Sequence, residues 1–301
     1  MKSPLVLAYA GGMHASAAIP WLIEAHGVDI VTVTLDVGQG DGLSELRARA
    51  LACGAARAHV IDCRDEFARD VLLPSLYEPS MSEDVAVSIA VLPRPLIARR
   101  LAEVARIEGT RTVAHGSRAR AFDEAIHAVD AGLRIIAPAR AWSTSTADLT
   151  TYVRAHHLPV QSMPTDCRID QNLWGRVVTW DQADEPPAAR AHERARRLSE
   201  PALVDIHFES GVPTSVNGVP MSAVELIDCL SLIGSQHGIG HVRATHDGEH
   251  GVCDMPAAVV LRAAAAAAGG RVTTDVCLKL GDGRYDVLTS GDRHSLLVNY
   301  A

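Results

Sequence analysis

The segment most able to do chemistry is Ala10-Gly11-Gly12-Met13-His14-Ala15-Ser16. It stands between an apolar run, Leu5-Val6-Leu7-Ala8-Tyr9, and a stretch from Ala15 to Ala25 with helical spacing. A glycine pair between a strand and a helix lets backbone N–H groups and the helix N-terminus face an anion. The spacing fits neither G-x-x-x-x-G-K-(S/T) nor G-x-G-x-x-G, so the segment is a phosphate cradle of another kind or a plain structural turn. Other chemistry is poorly provided for. The six cysteines (Cys53, Cys63, Cys167, Cys229, Cys253, Cys277) form no C-x-x-C pair, and no metal site is expected. The one Arg-rich stretch, Arg190 to Arg197, is interrupted by Ala, His and Glu and reads as a solvated helix face.

The elements that must carry this loop alternate. Expected strands are Leu5–Tyr9, Asp29–Leu35, Ala58–Ile61, Thr112–Ala114 and Leu133–Ala137. Expected helices are Ala15–Ala25, Leu43–Cys53, Glu66–Leu73, Leu96–Ile107 and Ala147–His156. Near-continuous apolar strands alternating with helices predict an α/β fold, a parallel sheet covered on both faces. The second half changes to α+β. A hairpin is expected over Val204–Glu209 and Pro213–Val216, with a turn at Asn217-Gly218. A second spans Val272–Leu280 and Tyr285–Thr289 around Gly281-Asp282-Gly283. Helices are expected at Ala223–Ile233 and Pro256–Ala268. The boundary is placed near Trp174–Trp180, giving domains 1–175 and 176–301, the second smaller. Ser80–Val85 and Glu185-Pro186-Pro187 read as exposed loops.

Composition narrows the partners. At 301 residues and 48% hydrophobic the chain can bury a full core, and with 4% aromatics that core is mostly Leu, Val, Ile and Ala. The net charge of −8 and the absence of a long basic run argue against nucleic acid. The apolar run Pro4–Ala10 is too short for a secretory leader, and Ala263–Ala268 reads as a packed helix end, so no membrane partner is expected. The expected location is the cytoplasm, with reduced thiols.

Ala8 to Ser16 (A-Y-A-G-G-M-H-A-S) resembles the (A/T)-Y-S-G-G-x-D-T-S pyrophosphate loop of argininosuccinate synthase. Further stretches are similar to that family in the same order. They are Leu35–Gln39, Arg94–Ala98, Ala114–Ser117, Ile135–Pro138, Ile169–Arg176, Gly211–Pro213, Val224–Leu226, His237–Gly240 and Leu278–Leu280. The resemblance implies a nucleotide-binding parallel sheet of the pyrophosphate-loop type with a second α+β domain. It also implies an ancestral chemistry: AMP is attached to the ureido oxygen of citrulline with release of pyrophosphate, and the amine of aspartate then displaces AMP. ATP with Mg²⁺ is the cofactor set so implied. The nucleotide-binding positions are Ala10, Gly11, Gly12, Ser16, Leu35 and Gly116.

The chain departs from the family where ligands would be gripped. In the loop the family's Ser is Ala10, its Asp is His14 and its Thr is Ala15. In the H-G-x-T-G-K-G-N-D segment, Arg118 replaces the Thr, Ala119 and Ala121 replace glycines, Phe122 replaces the Asn, and Asp123 remains. The positions implied for citrulline fall at or near Ala86, Ile126, Arg168, His246 and Cys253. Argininosuccinate is therefore not an expected product. The family's long helical segment is absent between Ala268 and Arg271, and its C-terminal helix after Ser295-Leu296, so a monomer or an oligomer unlike the family tetramer is expected.

Several replacements are reactive types, and a rebuilt site would use them. His14, His246 and Cys253 are the catalytic candidates: imidazoles with an unperturbed pKa near ~6.5 as general bases, and a thiol paired with a neighbouring His as a nucleophile. Arg118, Arg120, Asp123, Arg168 and Asp254 are the substrate-binding candidates. The alternative reading is drift, with Cys253 a small buried hydrophobe and the arginines solvated. His115 reads as structural beside the nucleotide site, and Met13 and Phe122 as core or pocket wall. Three functions remain open: a repurposed small-molecule enzyme working in the inter-domain cleft, a residual AMP-forming ligase with other substrates, and a non-catalytic metabolite- or partner-binding protein.

Overall fold

The computed structural model describes residues 4–40, 42–78, 89–141, 146–160, 167–180, 185–186, 189, 200–246 and 249–288. Arg190–Arg197, Ser80–Val85, Ala86 and Ser295-Leu296 lie outside the described residues, as do Pro187 of the second expected loop and Thr289 of the last expected strand. Contacts divide the chain into two units, 1–63 with 93–165, and 64–92 with 166–301.

The first unit contains β1 (Pro4–Ala8), α1 (Met13–His26), β2 (Asp29–Asp36), α2 (Leu43–Ala52) and β3 (Arg57–Asp62). The chain then leaves it through α3 (Arg64–Phe67), a π-helical turn (Ala68–Leu72) and α4 (Leu73–Ser75). It returns with α5 (Arg94–Ile107), β4 (Thr112–His115), α6 (Ala121–Val129), β5 (Arg134–Ile136), α7 (Pro138–Ala141) and α8 (Thr146–Ala155). The five strands are parallel in the order β3-β2-β1-β4-β5. β1 is apolar throughout and β2 buries six of its eight residues, Thr32 and Thr34 included, because both faces are covered. Leu5, Leu7, Ile19, Leu22 and Ile30 form one core layer, and Ala17 packs with Leu149 and Val153 in a smaller one. The order reverses between β1 and β4, where the carboxyl ends of parallel strands open a crevice for ligands.

The second unit contains β6 (Cys167–Asn172), β7 (Gly175–Trp180), β8 (Ala202–Glu209), β9 (Val212–Val216) and β10 (Val219–Pro220). There follow α9 (Ala223–Gln236), β11 (His241–His246), β12 (Glu249–Asp254), α10 (Pro256–Ala268), β13 (Thr274–Gly281) and β14 (Arg284–Leu288). Two antiparallel sheets result, β10-β9-β8-β13-β14 and β11-β12-β7-β6. The expected hairpins form. Asn217 and Gly218 have φ of 51° and 75°, and Asp282 and Gly283 have 52° and 74°, the left-handed pair that a two-residue hairpin turn requires. α9 starts on a complete capping box, with Ser222 and Glu225 satisfying each other's backbone N–H.

Two expectations are corrected. Residues 64–92 belong with the second unit, because α3 and the π-helical turn pack on α9; with that segment the second unit is the longer. The contact division falls at residues 165/166 rather than 175/176, because β6 and β7 form a hairpin within one sheet. Among the described residues no helix is long and apolar enough to cross a membrane.

Candidate phosphate and substrate site

β1 delivers the chain into the glycine turn, and the turn is held from below. Tyr9 N donates to Val33 O at 2.9 Å, Thr34 Oγ1 donates to Tyr9 O at 2.8 Å, and the Tyr9 and Ser16 hydroxyls share a bond of 2.9 Å. Gly11 has φ of +76°, and a Cβ built there would lie 2.1 Å from Leu46 Cδ2, so this position requires glycine. Arg49 Nη1 donates to Gly11 O at 3.0 Å and fixes the orientation of that peptide. Gly12 is the N-cap of α1 in extended conformation, with no side chain capping the helix. Nothing lies within 4 Å of where its Cβ would be. The first-turn N–H groups of α1, its positive dipole end, therefore meet open space.

Ala8 pairs with His115, so the two loops leave adjacent strand ends side by side. Gly116 is exposed and also has nothing within 4 Å of a built Cβ. His115 is buried; its Nδ1 accepts from Ser117 N at 3.2 Å, which leaves the proton on Nε2 to be donated to Asp123 Oδ1 at 2.7 Å. Arg140 Nη2 holds the other carboxylate oxygen at 2.5 Å, and Phe122 meets the imidazole edge-on at 4.7 Å. Burial pushes the His115 pKa down, outweighing the upward pull of Asp123. Burial pushes the Asp123 carboxyl up, but hydrogen bonds and charge from His115 and Arg140 outweigh it and hold it below the usual range. Asp123 is thus an ionised carboxylate in fixed orientation, with lone pairs left for an ammonium.

His14 sits in the first turn of α1, and its pKa is pushed down, first by burial of part of the ring and then by the Arg118 guanidinium. Its imidazole is neutral at pH 7 and competent to accept a proton. Arg118 and Arg120 are exposed. Among the described residues neither guanidinium makes a hydrogen bond or an ion pair; the Arg120 carbonyl accepts from Glu124 N at 3.1 Å. Ala10 is exposed at the turn, while Leu35 is buried in β2 and its carbonyl accepts from Gln39 Nε2 at 2.6 Å.

Ser16 is a correction. It is fully buried, its hydroxyl meets the Tyr9 hydroxyl and the Cys53 thiol, and its N–H donates to Gly12 O. It supports the loop from beneath and offers no donor to a phosphate.

In the second unit the register of β11-β12-β7-β6 sorts the remaining candidates by face. Cys253 opposes Val177 and Val242, and Arg168 opposes Thr179, so with alternation both lie on one face; Arg168 is exposed and Cys253 buried. In the backbone register His246 pairs with Glu249, four residues along β12 from Cys253. At ~3.4 Å per residue that step along the backbone is about 14 Å. Asp254 lies on the opposite face, where Oδ1 bonds His241 Nδ1 at 2.6 Å. It is engaged by a neighbouring strand rather than turned toward Arg168 and Cys253.

Sequence reasoning passed over Arg49, Arg140 and His241. Arg140 had a signal, an arginine two residues after the proline that ends β5, at the same pole of the sheet as the glycine turn.

Mg²⁺ takes oxygen ligands, usually one or two carboxylates with the substrate's phosphates. The turn offers Ala10, Gly11, Gly12, Met13 and His14, with Arg118 and Arg120 on the adjacent loop. Nearby carboxylates are engaged: Asp123 by His115 and Arg140, and Asp36 by the N–H of Gly38 at 2.9 Å. Among the described residues no three His, Cys, Asp or Glu side chains stand together as metal ligands. The residues of the first unit do not fit Mg²⁺, and no step is derived through it.

A parallel sheet with helices packed on it, a glycine turn at its switch point and a second, antiparallel unit define an α/β protein of the pyrophosphate-loop type. Residues 4–159 match the arginosuccinate synthase N-terminal HUP domain, and residues 167–275 the arginosuccinate synthase C-terminal domain. An argininosuccinate synthase of Listeria monocytogenes serotype 4a (strain HCC23) is 36% identical over 86% of this chain and 69% of that protein. One from Dictyoglomus thermophilum is 34% identical over the same shares. One from Anoxybacillus flavithermus is 36% identical over 80% of this chain and 63% of that protein. The chain belongs to the argininosuccinate synthase family.

Proposed function

We propose that this protein is a repurposed small-molecule enzyme of the argininosuccinate synthase family, which holds a phosphorylated nucleotide at the glycine turn and does not make argininosuccinate. The observation that carries the reading is the backbone cradle: Gly11 in left-handed conformation, with open space before Gly12 and Gly116. That cradle binds through main-chain N–H groups, which do not depend on the side chains that differ from the family.

The surrounding side chains support altered chemistry. A ligand with its phosphate against α1 meets neutral His14, which can take a proton from an attacking hydroxyl or amine. Asp123, held by His115 and Arg140, can receive an ammonium. Where the nucleotide is ATP it supplies an adenylate leaving group, and the reading narrows to an AMP-forming ligase with an acceptor and a nucleophile other than citrulline and aspartate.

Thermal unfolding with ATP and with AMP tests the proposal. At roughly ten times its Kd a ligand adds about 1.4 kcal/mol to the unit that binds it. For a unit of this size that raises Tm by about 3–6 °C. A rise with either nucleotide is expected. No rise with either at millimolar concentration would overturn the nucleotide reading and leave a metabolite- or partner-binding protein.

A further inference from the structure

We propose that the glycine-turn cradle takes its phosphorylated ligand without a divalent cation, the Arg118 guanidinium supplying the counter-charge that a metal ion would otherwise provide. The inference rests on the reading that a nucleotide phosphate binds there. It goes beyond that reading by fixing the ionic form of the ligand, free nucleotide rather than its magnesium complex.

The first argument is the composition of the two loops. From Ala10 to Ser16 and from Gly116 to Arg120 there is no acidic residue, while His14, Arg118 and Arg120 are all present. A hard cation between these two loops would have nitrogen bases and guanidinium groups for neighbours, with no carboxylate on either loop.

The second argument is position. β1 and β4 are neighbours, with Ala8 opposite His115. Gly11 and Arg118 each follow that pair by three residues, so Arg118 leaves the same end of the sheet as the cradle and on its immediate flank. Among the described residues it has no carboxylate partner to neutralise it, in contrast to Arg140, which is tied to Asp123. Electrostatic coupling between Arg118 and His14, which depresses the imidazole's pKa, agrees with this proximity.

The third argument is charge balance below the turn. Arg49 reaches the Gly11 carbonyl from α2, so a second guanidinium lies behind the loop. The helix dipole, Arg49 and Arg118 all favour an anion at the same point. A Mg²⁺–phosphate complex, less negative than the free phosphate, gains less from all three.

Calorimetric titration of the full chain with ATP and with inorganic pyrophosphate, each in EDTA and in excess Mg²⁺, tests the proposal. Wild-type Kd in EDTA should equal or better that in Mg²⁺. Arg118→Ala should weaken binding in EDTA by roughly tenfold, the scale of one lost charge-assisted contact, and Arg118→Lys should restore part of it. Arg118 is exposed, so these variants fold, and circular dichroism verifies it. Binding that appears only with Mg²⁺, or an Arg118→Ala protein that binds as wild type does, overturns the proposal and leaves the nucleotide reading standing. Absence of binding under all four conditions overturns both.

Discussion

With ATP, citrulline and aspartate, this protein should form argininosuccinate at least ~10⁴-fold more slowly than an ordinary enzyme turns over. One lost oriented donor at a developing charge costs ~10²–10³ in rate. The loop carries Ala10 and Ala15 where the family resemblance implies hydroxyl donors, and two such losses compound to the stated factor. The hydroxyl that remains in sequence, Ser16, is turned into the core against Tyr9. The grips on the amino acids differ as well. Ile126 is fully buried, Cys253 is buried in β12, and Arg168 puts a cation where the resemblance implies a serine. From a typical turnover of ~10 s⁻¹ the predicted rate is at most about 10⁻³ s⁻¹. Radiolabelled aspartate with chromatographic separation of the product reads this directly.

Gly240→Ala should be strongly destabilising to the second unit. Gly240 has φ of +74°, and a Cβ there would stand 2.6 Å from both Met255 C and Met255 O and 2.7 Å from Pro256 N. All three are backbone atoms, so no side chain can swing aside. The neighbouring bond from Met255 N to Gly240 O, 3.0 Å, would have to break for the strands to separate. That opens the start of the β11–β12 ladder, beside the His241–Asp254 bond, and the entry of α10. Left-handed strain of ~1 kcal/mol added to overpacking and a lost buried hydrogen bond gives about 3–5 kcal/mol. Gly218→Ala is the control, with φ of +75° but nothing within 4 Å of its Cβ, and should cost only ~1 kcal/mol. Urea unfolding midpoints compare the two. A Gly240→Ala protein as stable as Gly218→Ala would refute the packing argument.

The first unit was legible because its central strands β1, β2 and β4 are buried on both faces. Asp29–Asp36 and Pro4–Ala8 read as apolar runs, and the glycine pair between strand and helix marked the cradle. The four-stranded sheet was not legible. Its strands read C-R-I-D-Q-N, H-V-R-A-T-H and E-H-G-V-C-D, with too few apolar residues in alternation to signal a strand. Their pairing comes from hairpin geometry and from the Asn172 side chain, which accepts from Trp174 N and donates to Ile89 O. Helix α6 was missed for a similar reason, since only Phe122 and Ile126 of its nine residues are buried. The transfer of residues 64–92 to the second unit is a long-range contact that local periodicity does not encode. At the site, residue types marked the glycine turn and Asp123 as candidates. The inward turn of Ser16, the Arg140 clamp and the separation of His246 from Cys253 depend on rotamer and register.

The central claim is that the main-chain groups of the glycine turn seat a phosphate, with Arg118 on its flank as counter-charge. Gly12→Val tests it most directly. Gly12 has φ of −67° and ψ of 163°, an extended conformation that valine prefers, and a Cβ there meets nothing within 4 Å. The variant should therefore stay folded, at a cost of about 0.5–2 kcal/mol because valine is a poorer N-cap than glycine, while its branched side chain fills the space a phosphate needs. Calorimetric titration of ATP into both proteins should show binding to the wild type and at least roughly 100-fold weaker binding to Gly12→Val, as close approach to the α1 N–H groups is lost. Equal affinity in a fully folded variant would contradict the account and place the nucleotide elsewhere.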